Sequence, residues 1–491
     1  MNVPRCMSTQ HPDNVQPPFF ADHPVVQGEA EIREAYYAYS HLGCTEQMWD
    51  YEGKEVDGFV VKKLLSRYEG FFRRKRLGQD LRLTLRVPNP RVEKLEAKVL
   101  LETLESIPRS FDTARSFYGE TAPYPIFEVI LPMTTSAEEL NRVYYYYKEF
   151  VGGKEKQRCY DIAVGRWLGN FRPDTIEVIP LLEDKERLLE ADRIVEEYLR
   201  DKDVAQQRVF LARSDPALNY GQIGAVLLEK VALQRLERLE RKMGIEILPI
   251  LGAGSSPFRG NLRPDRVREV LAEYPSVQTF TIQSAFKYDY PEDEVRRAVE
   301  LINGASRGPA EEVDEPRCLE IIDKVAKRYA ESVRVLAPLV NEIGAYVPPR
   351  RARKLHIGLF GYSRELNGYS HVHLPRAIKF CAALYSVGVP PEILGLSALN
   401  REELAFVRSV YPHLEQDMGD SLRYLNEKNL QYLPTVAQEE VHEALNTFPV
   451  DVDEEHREIT GAILASLRTE DGKPSLSELI TRAAMRRHFL G

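Results

Sequence analysis

The sequence predicts an α/β protein: an eight-stranded (β/α) barrel of the TIM type, with many extra helices and a helical C-terminal third. Three observations predict it. Short β-rich runs recur up to Phe360, amphipathic helical patterns separate them, and beyond Phe360 only helical patterns follow. Strands that alternate with helices form parallel sheets, and eight such units close a barrel.

In chain order the strands are read at Thr45–Tyr51 (the weakest), Leu81–Arg86, Ile126–Leu131, Ile176–Leu182, Arg208–Ala212, Ile245–Leu251, Val277–Ile282 and Leu355–Phe360. Ser136–Phe150 opens with a capping pattern, Ser136 followed by Glu138 and Glu139. Ala217–Lys242 carries Ile223, Val226, Leu227, Val231, Leu236 and Leu239 at helical spacing, with Arg, Glu and Lys elsewhere. Asn303–Glu315, rich in Gly, Pro and acidic residues, reads as a loop. The remaining helices are expected at His373–Val387, Asn400–Tyr411, Asp417–Glu427, Ala437–Leu445, Arg457–Leu467 and Ser475–Phe489. The chain is expected to form one domain, 1–491: a barrel with insertions over 1–372 and a helical region over 373–491 packed on it.

Composition narrows the function classes. Of 491 residues, 43% are hydrophobic and 29% charged, enough apolar content for a large core. The net charge of −9 argues against nucleic acid as the main partner, because phosphate binding is driven by Lys and Arg. The runs Phe71–Arg76 and Pro348–Lys354 are basic, but such runs are more often solvated faces. Cys6, Cys44, Cys159, Cys318 and Cys381 are scattered and odd in number, which fits neither a disulfide framework nor a zinc site. No apolar run approaches the ~20 residues that span a bilayer, and no targeting segment is read. A cytoplasmic location without membrane contact is expected.

In a parallel barrel the active site lies at the C-terminal ends of the strands. There, Leu182 runs into Glu183-Asp184, and Ala212 into Arg213-Ser214-Asp215. Two acids at neighbouring strand mouths form a candidate cradle for Mg²⁺ or Mn²⁺, which take carboxylate, phosphate and water oxygens. The competing reading is helix capping, which suits Asp184 and Glu186 better than Glu183. Gly252–Asn261 combines glycines, which let backbone N–H groups approach an anion, with Arg259. Arg86, Arg259, Lys287, Arg364 and Arg376 fall at or after strand ends, and a basic pocket beside a divalent cation suits a small, multiply anionic substrate. His371 and His373 with His11 do not make a zinc site, since their spacing is not helical. Finally, Ser8-Thr9-Gln10-His11-Pro12-Asp13-Asn14 holds a histidine on stiff backbone, because Pro12 keeps the residue before it extended.

That heptapeptide closely resembles the signature of the archaeal-type phosphoenolpyruvate carboxylases, and the resemblance runs in order along nearly the whole chain. Pro180-Leu181-Leu182-Glu183, Ser214-Asp215, Gly252–Gly260, Phe286-Lys287-Tyr288, Tyr362-Ser363-Arg364 and Pro375-Arg376-Ala377-Ile378 resemble successive motifs of the larger bacterial and plant relatives. Arg86 sits where their strand-two arginine sits, and Trp49 is a loose match to a tryptophan after strand one. One departure is Ala253, which stands where those relatives have the first of two loop arginines. The heptapeptide starts at residue 8, so the upstream extension that carries regulatory phosphorylation in plant enzymes is not expected.

The resemblance implies a carbon–carbon lyase that joins phosphoenolpyruvate and bicarbonate to give oxaloacetate and phosphate, through carboxyphosphate and an enolate. It implies His11, Arg259 and Arg376 as catalytic residues, with His11 as the base. Arg86, Gly254, Ser255, Gln283, Lys287 and Arg364 would bind substrate. Glu183 and Asp215 would hold Mg²⁺ (or Mn²⁺), and the assembly would be a homotetramer. The alternative reading is another metal-dependent barrel enzyme that handles phosphoenolpyruvate or an enolate.

Overall fold

The structure, a computed structural model, describes residues 3–53, 56–352, 363–366, 369–469 and 474–491. Among them, eight parallel strands close a barrel: β1 Cys6–Ser8, β2 Glu46–Asp50, β3 Arg82–Arg86, β4 Glu128–Leu131, β5 Glu177–Leu182, β6 Gln206–Ala212, β7 Glu246–Gly252 and β8 Thr279–Ile282. Strands β2 to β8 lie where the sequence places them. The eighth does not. Closure is made by β1, whose Cys6, Met7 and Ser8 pair with Phe280, Thr281 and Ile282, while Met7 faces Glu46. The expected strand Leu355–Phe360 lies outside the described residues, and the barrel closes without it.

The barrel interior is layered. Met7, Met48, Ile130, Ile179, Leu181, Phe210, Ala212 and Ile250 form an apolar cluster of their own. An ion network is buried beside it: Arg208 reaches Glu46 at 2.7 Å and Glu128 at 3.2 Å, and Arg82 reaches Glu128 at 2.9 Å. Each of these charges meets its opposite within hydrogen-bond distance, which offsets the cost of removing them from water.

Helix α1 Glu29–Ser40 follows β1, α2 Ser214–Met243 begins at the mouth after β6, α3 Glu315–Gly344 packs along α2, and α4 Ala377–Ser386 puts its first turn at the mouth. Helix α2 matches the apolar spacing read at Ala217–Lys242 but is kinked at Gly221, whose φ of 77° an L-residue rarely adopts. Helix α4 starts later than expected. An antiparallel hairpin, β9 Ser363–Leu366 with β10 Tyr369–Pro375, precedes it, so strands do not stop at Phe360. Val372, His373 and Leu374 alternate half-buried, exposed and buried, which is a strand period, and Pro375 resets the backbone before Ala377. Further on, helices occupy Arg401–Val410, Leu414–Leu422, Thr435–Thr447, Glu454–Leu467 and Leu476–Arg487. Asn400 caps the first with a full capping box closed by Glu403.

Candidate active site

A cavity of about 380 Å³ opens at the C-terminal ends of the strands. Its wall takes one or two residues from most strand ends: His11 after β1, Arg86 at the end of β3, Glu183 after β5, Ser214 and Asp215 after β6, Gly252 at the end of β7, and Gln283 after β8. The segment Val347–Ala352 and the first turn of α4, with Arg376, complete it.

His11 is held by its own segment. Thr9 N–H donates to the Ile282 carbonyl at 3.0 Å, which extends the β1–β8 ladder past Ser8. The His11 carbonyl then accepts from the N–H groups of Ser284 and Asp13, and its ring Nδ1 lies 3.0 Å from Thr9 Oγ1. A histidine fixed through one ring nitrogen has a defined orientation for chemistry at the other.

Arg259 is 2% exposed, and every nitrogen of its guanidinium is engaged. Nη1 donates to Asp13 Oδ2 at 3.2 Å and to the Gly491 carbonyl at 2.8 Å, Nε donates to Ser214 Oγ at 3.1 Å, and Nη2 donates to Gln283. Asp13 also accepts from the N–H groups of Ala285 and Ser255. Burial pushes its carboxyl up, and Arg259 and the two N–H donors only partly oppose the rise. Gly254 and Ser255, which the resemblance assigns to substrate, are not among the residues of the cavity wall. A Cβ on Gly254 would stand 2.8 Å from the Arg259 guanidinium carbon, so the glycine makes room for the arginine.

Arg86 meets Asp50 through two hydrogen bonds of 2.7 Å and Glu52 at 3.0 Å. Burial disfavours its charge, but Asp50 and Glu52 outweigh that and hold it firmly protonated. Arg376 lies 4.0 Å from Glu52. Glu93, behind them, is pushed up to about 8 by burial and by the neighbouring Glu52.

Lys287 does not line the cavity. It is buried, with Nζ donating to Thr9 O at 2.8 Å, Ser8 Oγ at 3.1 Å and Glu34 at 3.0 Å. Arg364 lies in β9 opposite Leu374, and its side chain is outside the described residues.

Glu183 and Asp215 both line the cavity, whereas Asp184 caps the helix Lys185–Leu189 by accepting from Arg187 N–H at 2.9 Å. The capping reading thus holds for Asp184. Asp215 combines both readings, being in the first turn of α2 and on the cavity wall. Among the described residues no three His, Cys, Asp or Glu side chains gather as a metal cage. Two carboxylates suit a hard cation that takes its remaining ligands from substrate oxygens and water, and do not suit zinc.

Comparisons with known proteins give the family. The family model for phosphoenolpyruvate carboxylase matches residues 3–491. Phosphoenolpyruvate carboxylases of Methanothermobacter thermautotrophicus, Methanospirillum hungatei and Halobacterium salinarum are 54%, 53% and 51% identical, each over 100% of both chains. The chain belongs to the phosphoenolpyruvate carboxylase family. A solved aldolase from Desulfitobacterium hafniense aligns with a TM-score of 0.33 at 13% identity, covering 62% of this chain and 95% of that one.

For a member of the phosphoenolpyruvate carboxylase family, the residues that sequence reasoning missed are as informative as those it found. Pro348–Lys354 was read as a solvated face, yet Arg350 and Arg351 are 9% and 4% exposed and line the cavity. Arg351 pairs with Glu31 at 2.8 Å and Glu34 at 2.7 Å, and Arg350 donates to the Val15 carbonyl at 3.0 Å. Glu34 accepts from Arg351, Lys287 and Tyr288 together, which holds its carboxyl down at about 2 despite burial. Through Lys287, one carboxylate therefore ties Arg351 on the cavity wall to Ser8 and Thr9, just before His11. The available signal was Pro348-Pro349, which stiffens the entry to this run. Asp13 and Arg213 also went unassigned. Arg213 lines the cavity, with Glu229 at 3.5 Å.

Proposed function

We propose that this chain carboxylates phosphoenolpyruvate with bicarbonate to give oxaloacetate and phosphate. The observation that carries the reading is the cavity. It brings a histidine, two carboxylates and six arginines (Arg86, Arg213, Arg259, Arg350, Arg351 and Arg376) together at the strand mouths of a chain similar over its full length to phosphoenolpyruvate carboxylases.

The arginines suit a small, multiply anionic substrate. A bicarbonate oxygen attacks phosphorus as the bond from phosphorus to the enol oxygen breaks, leaving carboxyphosphate and the enolate of pyruvate. His11 takes the carboxyphosphate proton, which releases carbon dioxide and phosphate, and the enolate carbon then attacks carbon dioxide. Arg259 and Arg376 offset the charge that develops, and Arg86, Gln283 and Arg364 orient substrate. Glu183 and Asp215 are assigned to Mg²⁺ or Mn²⁺, which when bound supplies positive charge to substrate oxygens. The segment Val347–Ala352 keeps water from the enolate, which water would protonate to pyruvate.

The same reading takes residues 1–491 as one catalytic unit, with 373–491 packed on the barrel, and takes the assembly as a homotetramer in the cytoplasm. Among the described residues no single helix is long and apolar enough to cross a membrane. The test is oxaloacetate formation from phosphoenolpyruvate, with and without bicarbonate, coupled to malate dehydrogenase. Bicarbonate-dependent oxaloacetate is expected. Turnover of phosphoenolpyruvate that ignores bicarbonate would point instead to another metal-dependent barrel enzyme handling an enolate.

A further inference from the structure

The cations around the cavity divide by whether the protein itself balances them. Arg86, Arg213, Arg259, Arg351 and Arg376 each have a carboxylate within 4.0 Å. Lys379 does not. It lies in the first turn of α4, half-buried, on the cavity wall, and no hydrogen bond or ion pair joins it to any described residue. A half-buried ammonium without a counter-charge is costly, and burial alone lowers its pKa. Arg350 is the nearest parallel, with a carbonyl as its hydrogen-bond acceptor and, among the described residues, Asp289 as the one carboxylate acting on it. Among the described residues, carboxylates thus balance five cations of the site and none balances Lys379.

We propose that Lys379 contacts substrate, receiving an anionic oxygen group of phosphoenolpyruvate or of bicarbonate inside this cavity. The inference rests on the carboxylase reading and deepens it: carboxylate partners hold those arginines in place for substrate, and Lys379 adds a charge that no described carboxylate balances. A substrate anion restores the balance that the protein leaves open, which favours binding of a group with negative oxygens over a neutral one.

The test is steady-state kinetics of Lys379→Met and Lys379→Arg against wild type, varying phosphoenolpyruvate and bicarbonate separately. A charge-assisted contact predicts that Lys379→Met raises the KM of one of the two substrates by about tenfold or more. Lys379→Arg, which keeps the charge, should recover part of that loss. The substrate whose KM moves identifies the anion. Values of KM for both substrates within about twofold of wild type would overturn the proposal, since a structural lysine would change yield or melting but leave KM alone. A second measurement does not depend on the variant folding. Wild-type protein is acetylated with acetic anhydride, and modification of Lys379 is followed by peptide mass spectrometry with phosphoenolpyruvate or bicarbonate present. Slowing by one of the two substrates is expected, and equal rates under all conditions would overturn the proposal. Protection does not require turnover. A wild-type enzyme that is protected by phosphoenolpyruvate but makes no oxaloacetate would therefore overturn the carboxylase reading and leave the anion contact standing.

Discussion

At the scale of single residues, the site separates groups on the cavity wall from groups that hold them. Glu183 and Asp215 share the cavity wall, while Asp184, one residue on, is spent on a helix cap. Glu183→Gln or Asp215→Asn is expected to lower activity on the order of 10²-fold or more, because a Lewis-acidic cation supplies several kcal/mol of charge stabilisation. Mn²⁺ titration followed by electron paramagnetic resonance should show weakened binding in both variants. Asp184→Asn should cost no more than a cap, about 0.5–2 kcal/mol of stability by urea denaturation, with near-normal turnover. An essential Asp184 beside a dispensable Glu183 would shift the register of β5.

At the scale of elements, packing decides where charges act. Glu34 on α1 joins Arg351, over the cavity, to Lys287, which grips Thr9 two residues before His11. Glu34→Gln keeps the shape and removes the charge. Losing a buried charge-assisted contact costs about 1.5–3 kcal/mol. The expected result is a rise in the ratio of pyruvate to oxaloacetate released, as water reaches the enolate. An unchanged ratio, with only a lower melting temperature, would confine Glu34 to a structural role.

Glu392 makes a second link. Its Oε1 accepts from Phe258 N–H at 2.7 Å and Tyr385 O–H at 2.5 Å, which ties the Arg259 loop to α4. Burial pushes its carboxyl up to about 7, and the hydrogen bond from Tyr385 only partly opposes the rise. The folded chain keeps this proton where the unfolded chain has lost it. The resulting stability is complete below about pH 4.5 and is lost as pH rises through about 7. Urea denaturation from pH 4.5 to 8 should show Glu392→Gln lacking this part of the slope, up to about 1.4 kcal/mol per pH unit. Parallel profiles for the variant and wild type would show that the group does not titrate there.

At the scale of the whole molecule, most of the barrel was legible in the sequence, and the reasons for the exceptions are physical. Strands β2 to β8 are four to seven residues long, and most carry an apolar or alternating run that stands out; β2, Glu46–Asp50, is the weakest of them. The closing strand β1 has three residues, too few for any periodicity, and its pairing partners lie near residue 280. The site was legible where a motif ends a strand, as at Glu183, Asp215, Gln283 and Arg86. It was less legible where a residue's partner comes from a distant element: Lys287 Nζ donates to Glu34 and to the Thr9 carbonyl, and Ser255 N–H to Asp13. Arg351 was misread as part of a solvated face, because Glu31 and Glu34 lie more than 300 residues upstream.

These long-range pairings converge on one claim: closing the barrel with β1 places His11 where it removes the carboxyphosphate proton. A positioned general base contributes ~10²–10⁴ in rate. The most direct measurement follows phosphate, pyruvate and oxaloacetate in parallel from purified His11→Asn, with and without bicarbonate. The account predicts that oxaloacetate formation falls by that factor, roughly 10²–10⁴, while phosphoenolpyruvate is still consumed in a bicarbonate-dependent way to phosphate and pyruvate. Near wild-type oxaloacetate from His11→Asn would contradict it and leave the segment after β1 as a structural turn.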